Sequence, residues 1–135
     1  KALWSNDMLV PFDEENDKRT YTFTNIWNNS VYYHGNVPNN EFKLYKKVTI
    51  VLGKSVSSKE SFLFTLGKSD YMKISNISLK KGDKIVYDGV QTWRNGTPIN
   101  HRCTNAQPKF YPGWNDFAFN QQVKSVTFDM KFYYK

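Results

Sequence analysis

Near the end of the chain Val126, Phe128, Met130, Phe132 and Tyr134 alternate with Ser125, Thr127, Asp129, Lys131 and Tyr133. A period of two belongs to an extended strand, whose successive side chains point to opposite faces; a helix would scatter the same residues around its circumference. The segment predicts a strand with one buried face. The pattern recurs where Tyr21, Phe23 and Trp27 face Thr20, Thr22 and Thr24, and again in Val48, Ile50 and Leu52, in Phe62, Phe64 and Leu66, and in Ile85 and Tyr87. No stretch of a dozen residues carries apolar side chains at helical spacing, and the five prolines and seven glycines fall between the strand-like runs. Phe, Tyr and Trp make up 17% of the chain, and aromatic residues fit a pleated, half-buried surface. Many short strands within 135 residues predict an all-β fold, an antiparallel sandwich or barrel, as a single domain over residues 1–135, with the antiparallel β-sandwich as the expectation of the two.

The turns are legible as well. Asn95-Gly96 follows the strand-like stretch at Trp93, and a two-residue hairpin of this type needs positive φ at both positions, which Asn and Gly tolerate best. Lys81-Gly82-Asp83 and Asp88-Gly89 punctuate the preceding stretch, and the acidic run Asp13 to Asp17 reads as a solvated loop. The chain opens at Lys1 with no apolar leader, as expected of a piece of a longer protein. No run approaches the roughly 20 apolar residues of a membrane helix, so no membrane partner is expected. The net charge of +7 is dispersed, with only short pairs such as Lys46-Lys47 and Lys80-Lys81. A dispersed basic surface argues against nucleic acid as a partner, which would call for clustered Lys and Arg.

Residues that could carry chemistry are few. Cys103 is the single cysteine, and His34 and His101 are the only histidines. On a strand His101 and Cys103 would share a face and imitate a nucleophile and base, but nothing nearby would hold a thiolate. Three soft donors, one distant in sequence, are a poor zinc set. The Asp13–Asp17 run has Lys18 where a calcium loop needs glycine. The expectation is no catalytic residue, no metal and no cofactor. Three Asn-x-Ser/Thr triplets, beginning at Asn28, Asn76 and Asn95, arise easily in a chain so rich in Asn. The one feature that could mean ligand binding is aromatic: Trp27, Tyr32, Tyr33, Trp93 and Trp114 are candidates for stacking against a sugar. The competing expectation is that Trp27, Trp93 and Trp114 fill the core, as tryptophans on strands commonly do.

Three segments, in order, resemble the distal tail protein family of long-tailed bacteriophages that infect Gram-positive bacteria. The opening ALWSND is similar to the start of that family's second domain. ISLKKGDKIVYDGVQTWRNGTPIN resembles its Gly-Asp turn, strand, and second strand closed by Asn-Gly, and FYPGWNDFAFN followed by VKSVTFDMKFYYK resembles its Pro-Gly-x-Asn turn and final alternating strand. The resemblance implies a galectin-like, jelly-roll sandwich from the C-terminal part of a structural protein of the tail tip, or baseplate. The implied partners are the tail tube, the tail-tip hub and receptor-binding proteins. It implies a homohexameric whole protein assembled in the bacterial cytoplasm, whose ring-forming half is absent here, leaving this part monomeric. A galectin-like fold does not bring galactose binding with it, since no His, Asn, Arg and Trp set of the galectin kind is present. The alternative is a carbohydrate-binding module recognising cell-wall or plant polysaccharide through exposed aromatics, with a cell-wall glycan as its partner.

Overall fold

The computed structural model describes residues 18–33, 46–67, 70–88, 91–105 and 111–131. They form nine strands: β1 (Lys18–Tyr33), β2 (Lys46–Val51), β3 (Ser61–Leu66), β4 (Asp70–Ser75), β5 (Lys84–Tyr87), β6 (Thr92–Arg94), β7 (Thr97–Pro98), β8 (Cys103–Asn105) and β9 (Gly113–Lys131). One turn of 3₁₀ helix, Asn100–Arg102, is the sole helical element among the described residues. Every pairing is antiparallel. The all-β expectation therefore holds, with the sheet curling into a half-barrel of sandwich-like form.

The layout follows from β9, which is far longer than an ordinary strand. β1 lies along one of its edges from Lys18↔Lys131 to Tyr33↔Gly113. Its other edge is shared end to end: β2 takes Ser125 to Met130 and β3 takes Phe117 to Phe119. Two branches leave from there, β2-β5-β6-β7 and β3-β4-β8. They can enclose a common core only if β9 bends, and the rings show how far it does. Phe117 and Phe128 are 11 residues apart (128 − 117), which a straight strand would spread over roughly 36 Å, yet their ring centroids are 4.8 Å apart.

The bend is visible as a change of phase. Asn115, Phe117, Phe119, Gln121 and Val123 point inward, whereas beyond Ser125 the inward residues are Val126, Phe128 and Met130. β1 answers it with a register shift between Ile26 and Asn28 and with Asn25 at φ 51°, the left-handed conformation that Asn accepts more readily than most residues. Backbone groups at such a corner lose their ladder partners and need others, and three consecutive amides supply them. Asn120 accepts from the Leu63 amide at 3.1 Å and donates to the Ser61 carbonyl at 2.8 Å, extending the β3 pairing past its end. The buried side chain of Gln121 accepts from Gly53 N–H and donates to the Lys54 carbonyl, both at 3.1 Å. Gln122 donates to the Asn25 carbonyl at 3.0 Å. Gly53 is needed here because a methyl group on its Cα would lie 2.2 Å from the Gln122 carbonyl oxygen.

The core fills the half-barrel. Val48, Ile50, Leu52, Phe62, Phe64, Leu66, Ile85, Tyr87, Phe128 and Met130 are all buried, as their alternation predicts, and an aromatic chain runs Phe62, Phe119, Phe64, Phe128, Phe117 and Phe23. Phe132 and Tyr134 lie outside the described residues, as does the Asp13–Asp17 run. The Asn95-Gly96 turn joins β6 to β7 with φ of 50° and 87°, as the hairpin requires. Beneath it sits a polar knot. Asp83 accepts from the Lys80 amide and from Arg94 Nε, both at 2.8 Å, and from Asn95 Nδ2 at 3.1 Å. Burial alone would push the Asp83 carboxyl up, but these donors and the Arg94 charge together hold it below its ordinary value.

Three substitutions check this account. Phe128→Ala is expected to lose about 3 to 5 kcal/mol, and Gln121→Ala about 1 to 3 kcal/mol through its orphaned partners, both read by urea denaturation at neutral pH. Because the folded carboxyl of Asp83 is depressed, its contribution is present above the unfolded pKa, near 3.8, and fades as pH falls through the lower folded value. Asp83→Asn should therefore be less stable than the wild type by about 1 to 3 kcal/mol at pH 7, and the gap should close as the titration is carried down through the acid range.

Candidate functional site

The five aromatic candidates separate. Tyr33 is fully buried and belongs to the core, so its ring cannot meet a ligand. Trp27 is 55% exposed: the irregularity after Asn25 turns Ile26 inward and throws Trp27 out, which corrects the alternation that placed it with Tyr21 and Phe23. Trp93 is half-buried on β6 and borders a separate hollow with Lys47, Val86, Asp88 and Gly96. Trp114 is 71% exposed, because on this arm of β9 the odd positions face the core and the even ones face outward. The expectation that these tryptophans fill the core fails for Trp27 and Trp114, through strand phase and not through composition, while Trp93 is half-buried.

Tyr32 and Trp114 alone come together. They are directly opposed on β1 and β9, and their rings meet edge to face with centroids 5.1 Å apart. Trp114 stands on a fixed mount. Gly113 takes φ 97°, and the buried Asn115 accepts from Tyr111 N–H while donating to the carbonyls of Tyr111 and Gly113, each at 2.9 Å. The Pro112-Gly113 turn is thus closed by the side chain just after the exposed ring.

Along the same outer face the next opposed pair is Ser30 and Asp116, followed by Asn28 and Ala118, with Thr65 of β3 beside Ala118. These residues, with Asn29, Gly67 and Phe117, line an open depression of about 610 Å³. Ser30 Oγ donates to Asp116 Oδ1, and Ser30 N–H donates to Asn29 Oδ1 at 2.8 Å. The described lining residues include one carboxylate and no Lys or Arg; Lys73 lines a neighbouring hollow on β3 and β4 that shares Thr65. An aromatic lip beside a polar floor can hold a small, polar, uncharged ligand by stacking and hydrogen bonding. Sequence reasoning picks out the two rings but misses Asn28, Ser30, Thr65 and Asp116. The signal that finds them is spacing, since Asn28, Ser30 and Tyr32 on β1, and Trp114 and Asp116 on β9, each share a face at intervals of two.

The His101–Cys103 pair does not form on one strand. His101 lies exposed on the 3₁₀ turn, and Cys103 opens β8 with its thiol donating to the Ile99 carbonyl at 3.3 Å. Burial pushes that thiol up, with the Thr92 hydroxyl acting weakly in the other direction. That is the reverse of what a nucleophile needs. His34 lies outside the described residues, and among those described no three His, Cys, Asp or Glu side chains gather as a metal site would need. No described helix is long and apolar enough to cross a membrane.

The thiol gives a direct check. Labelling of Cys103 by iodoacetamide at pH 8 should be slower in the folded chain than in urea by about tenfold or more, and equal rates would mean an open, activated cysteine. Neither protein-family profiles nor the curated proteins contain a match to this chain.

Proposed function

We propose that the chain is a non-catalytic structural module of a bacteriophage tail tip, monomeric by itself, that anchors receptor-binding or other baseplate proteins to the hub. The observation that carries this reading is the part played by the segments that resemble the distal tail protein family. Gly82-Asp83 forms the turn whose carboxylate knots Lys80, Arg94 and Asn95. Asn95-Gly96 closes the β6–β7 hairpin, and Pro112-Gly113 with Asn115 launches β9. The described residues behind the resemblance are thus turn and pairing residues of an all-β scaffold, which is what a building block of a mechanical assembly requires; the opening ALWSND lies outside the described residues. Among the described residues β1 pairs only with β9, and such an edge suits strand addition by a neighbouring protein.

Antibody raised against the chain and coupled to gold decides the matter on virions induced from the strain that carries the gene. Label confined to the tail tip is the expected result. Unlabelled particles, or label on the capsid, would remove the reading. Light scattering on the purified chain should give the mass of one copy.

A further inference from the structure

We propose that the outer face of β1 and β9 holds a binding site for a neutral carbohydrate, with Trp114 as its stacking platform and Asp116 and Asn28 as its hydrogen-bonding groups. This goes beyond the docking role and does not depend on it. Three observations carry it. Trp114 is the most exposed large hydrophobic side chain described, at 71%, yet its ring packs edge to face against Tyr32 and its backbone follows the turn that Asn115 closes. An exposed ring already packed in this way loses little entropy when a flat apolar face, such as the C–H face of a pyranose, settles on it.

The polar groups are also at the right interval. Ser30 and Asp116 lie two residues along their strands from Tyr32 and Trp114, roughly 6.6 Å at strand rise, which is about the span of one sugar ring. A ring stacked on Trp114 therefore brings a hydroxyl to Asp116. The Ser30 hydroxyl uses Oδ1 of that carboxylate and fixes its direction, while Oδ2, like the Asn28 amide, makes no hydrogen bond to the described residues. Both are therefore ready for a ligand with paired donors and acceptors.

Charge selects the class. On a chain of net charge +7, the described lining of this depression carries one carboxylate and no cation. Phosphate, nucleic acid and acidic polymers would be repelled by Asp116 with no cation among the described lining residues to compensate, whereas a neutral polyol can donate to it.

The test uses the full chain and a panel of neutral oligosaccharides: oligomers of N-acetylglucosamine, glucose, galactose and rhamnose, each taken to about 10 mM in calorimetric titration, where even weak millimolar binding registers. Binding of at least one member is expected, with the indole N–H signal of Trp114, assigned by its loss in Trp114→Phe, shifting on addition. Trp114→Ala and Asp116→Asn should each weaken that binding about tenfold or more, as truncation of a central contact does, while their melting temperatures stay near the wild-type value. Trp93→Ala, at the separate hollow, should bind as the wild type does. The proposal is overturned if no member binds, if binding survives both substitutions, or if it moves with Trp93 instead. A melting temperature lowered in Trp114→Ala, with the titration silent, would assign the ring to packing and overturn it equally.

Discussion

The bend in β9 is the constraint on which the rest of the molecule depends. A strand that serves β2 on one arm and β3 on the other must turn sharply between them, and Phe117 against Phe128 at 4.8 Å measures the turn. Sharp bending costs ladder hydrogen bonds, and in a half-buried place each orphaned amide or carbonyl would cost on the order of 1 to 3 kcal/mol. Asn120, Gln121 and Gln122 replace those partners with side-chain amides, each of which can donate and accept at once. The Gln121 pair to Gly53 and Lys54 also ties down the connection that leads from β2 towards β3. Gly53 then fits because it alone leaves room for the Gln122 carbonyl.

The same corner determines which residues meet solvent. In a strand the inward set changes whenever one residue is added or removed, so a bulge reverses every assignment beyond it. On the arm before the bend the odd residues of β9 pack and the even ones face out, which displays Trp114 and Asp116; after the bend the even ones pack, which buries Phe128 and Met130. β1 undergoes the matching change at Asn25, and this is why Ile26 turns inward and Trp27 is displayed. The outer depression is thus a by-product of how the core is closed, and the aromatic pair at its lip sits on the part of the ribbon that the bend leaves straight.

How much of this could be read beforehand depends on the strand segment. Val48 to Leu52, Phe62 to Leu66, Ile85 to Tyr87 and Val126 to Met130 keep strict alternation between turns, and each proves to be a buried face. The hairpin at Asn95-Gly96 is legible because two positive φ values leave little choice of residue. The length of β9 is not legible, since Asn120-Gln121-Gln122 has no apolar alternation although the strand runs through it. Trp27 misleads for a related reason: its alternation with Phe23 is sound only if the strand is regular, and the irregularity at Asn25 has no apolar marker. His101 and Cys103 mislead because the 3₁₀ turn ends between them, so the spacing of two that would align them on a strand does not apply.

Two groups of polar residues show how structural and ligand-facing positions differ in physical terms. Around Asp83 the carboxylate is satisfied internally: both of its oxygens are used, Arg94 Nε closes the ion pair at 2.8 Å, and Asn95 supports both Asp83 and the Lys84 amide. Such a network rigidifies a turn and offers nothing outward. Around Asp116 the balance is different, because Ser30 donates to one oxygen while the other oxygen and the Asn28 amide make no hydrogen bond to the described residues, and both residues line the open depression. Orientation without saturation is the condition a binding group needs: a side chain already positioned loses little freedom when a ligand arrives, and one not yet satisfied gains a bond. Asp83 and Asp116 are the same residue type in one sheet, and their different surroundings make one a clasp for the fold and leave the other the group best placed to meet another molecule.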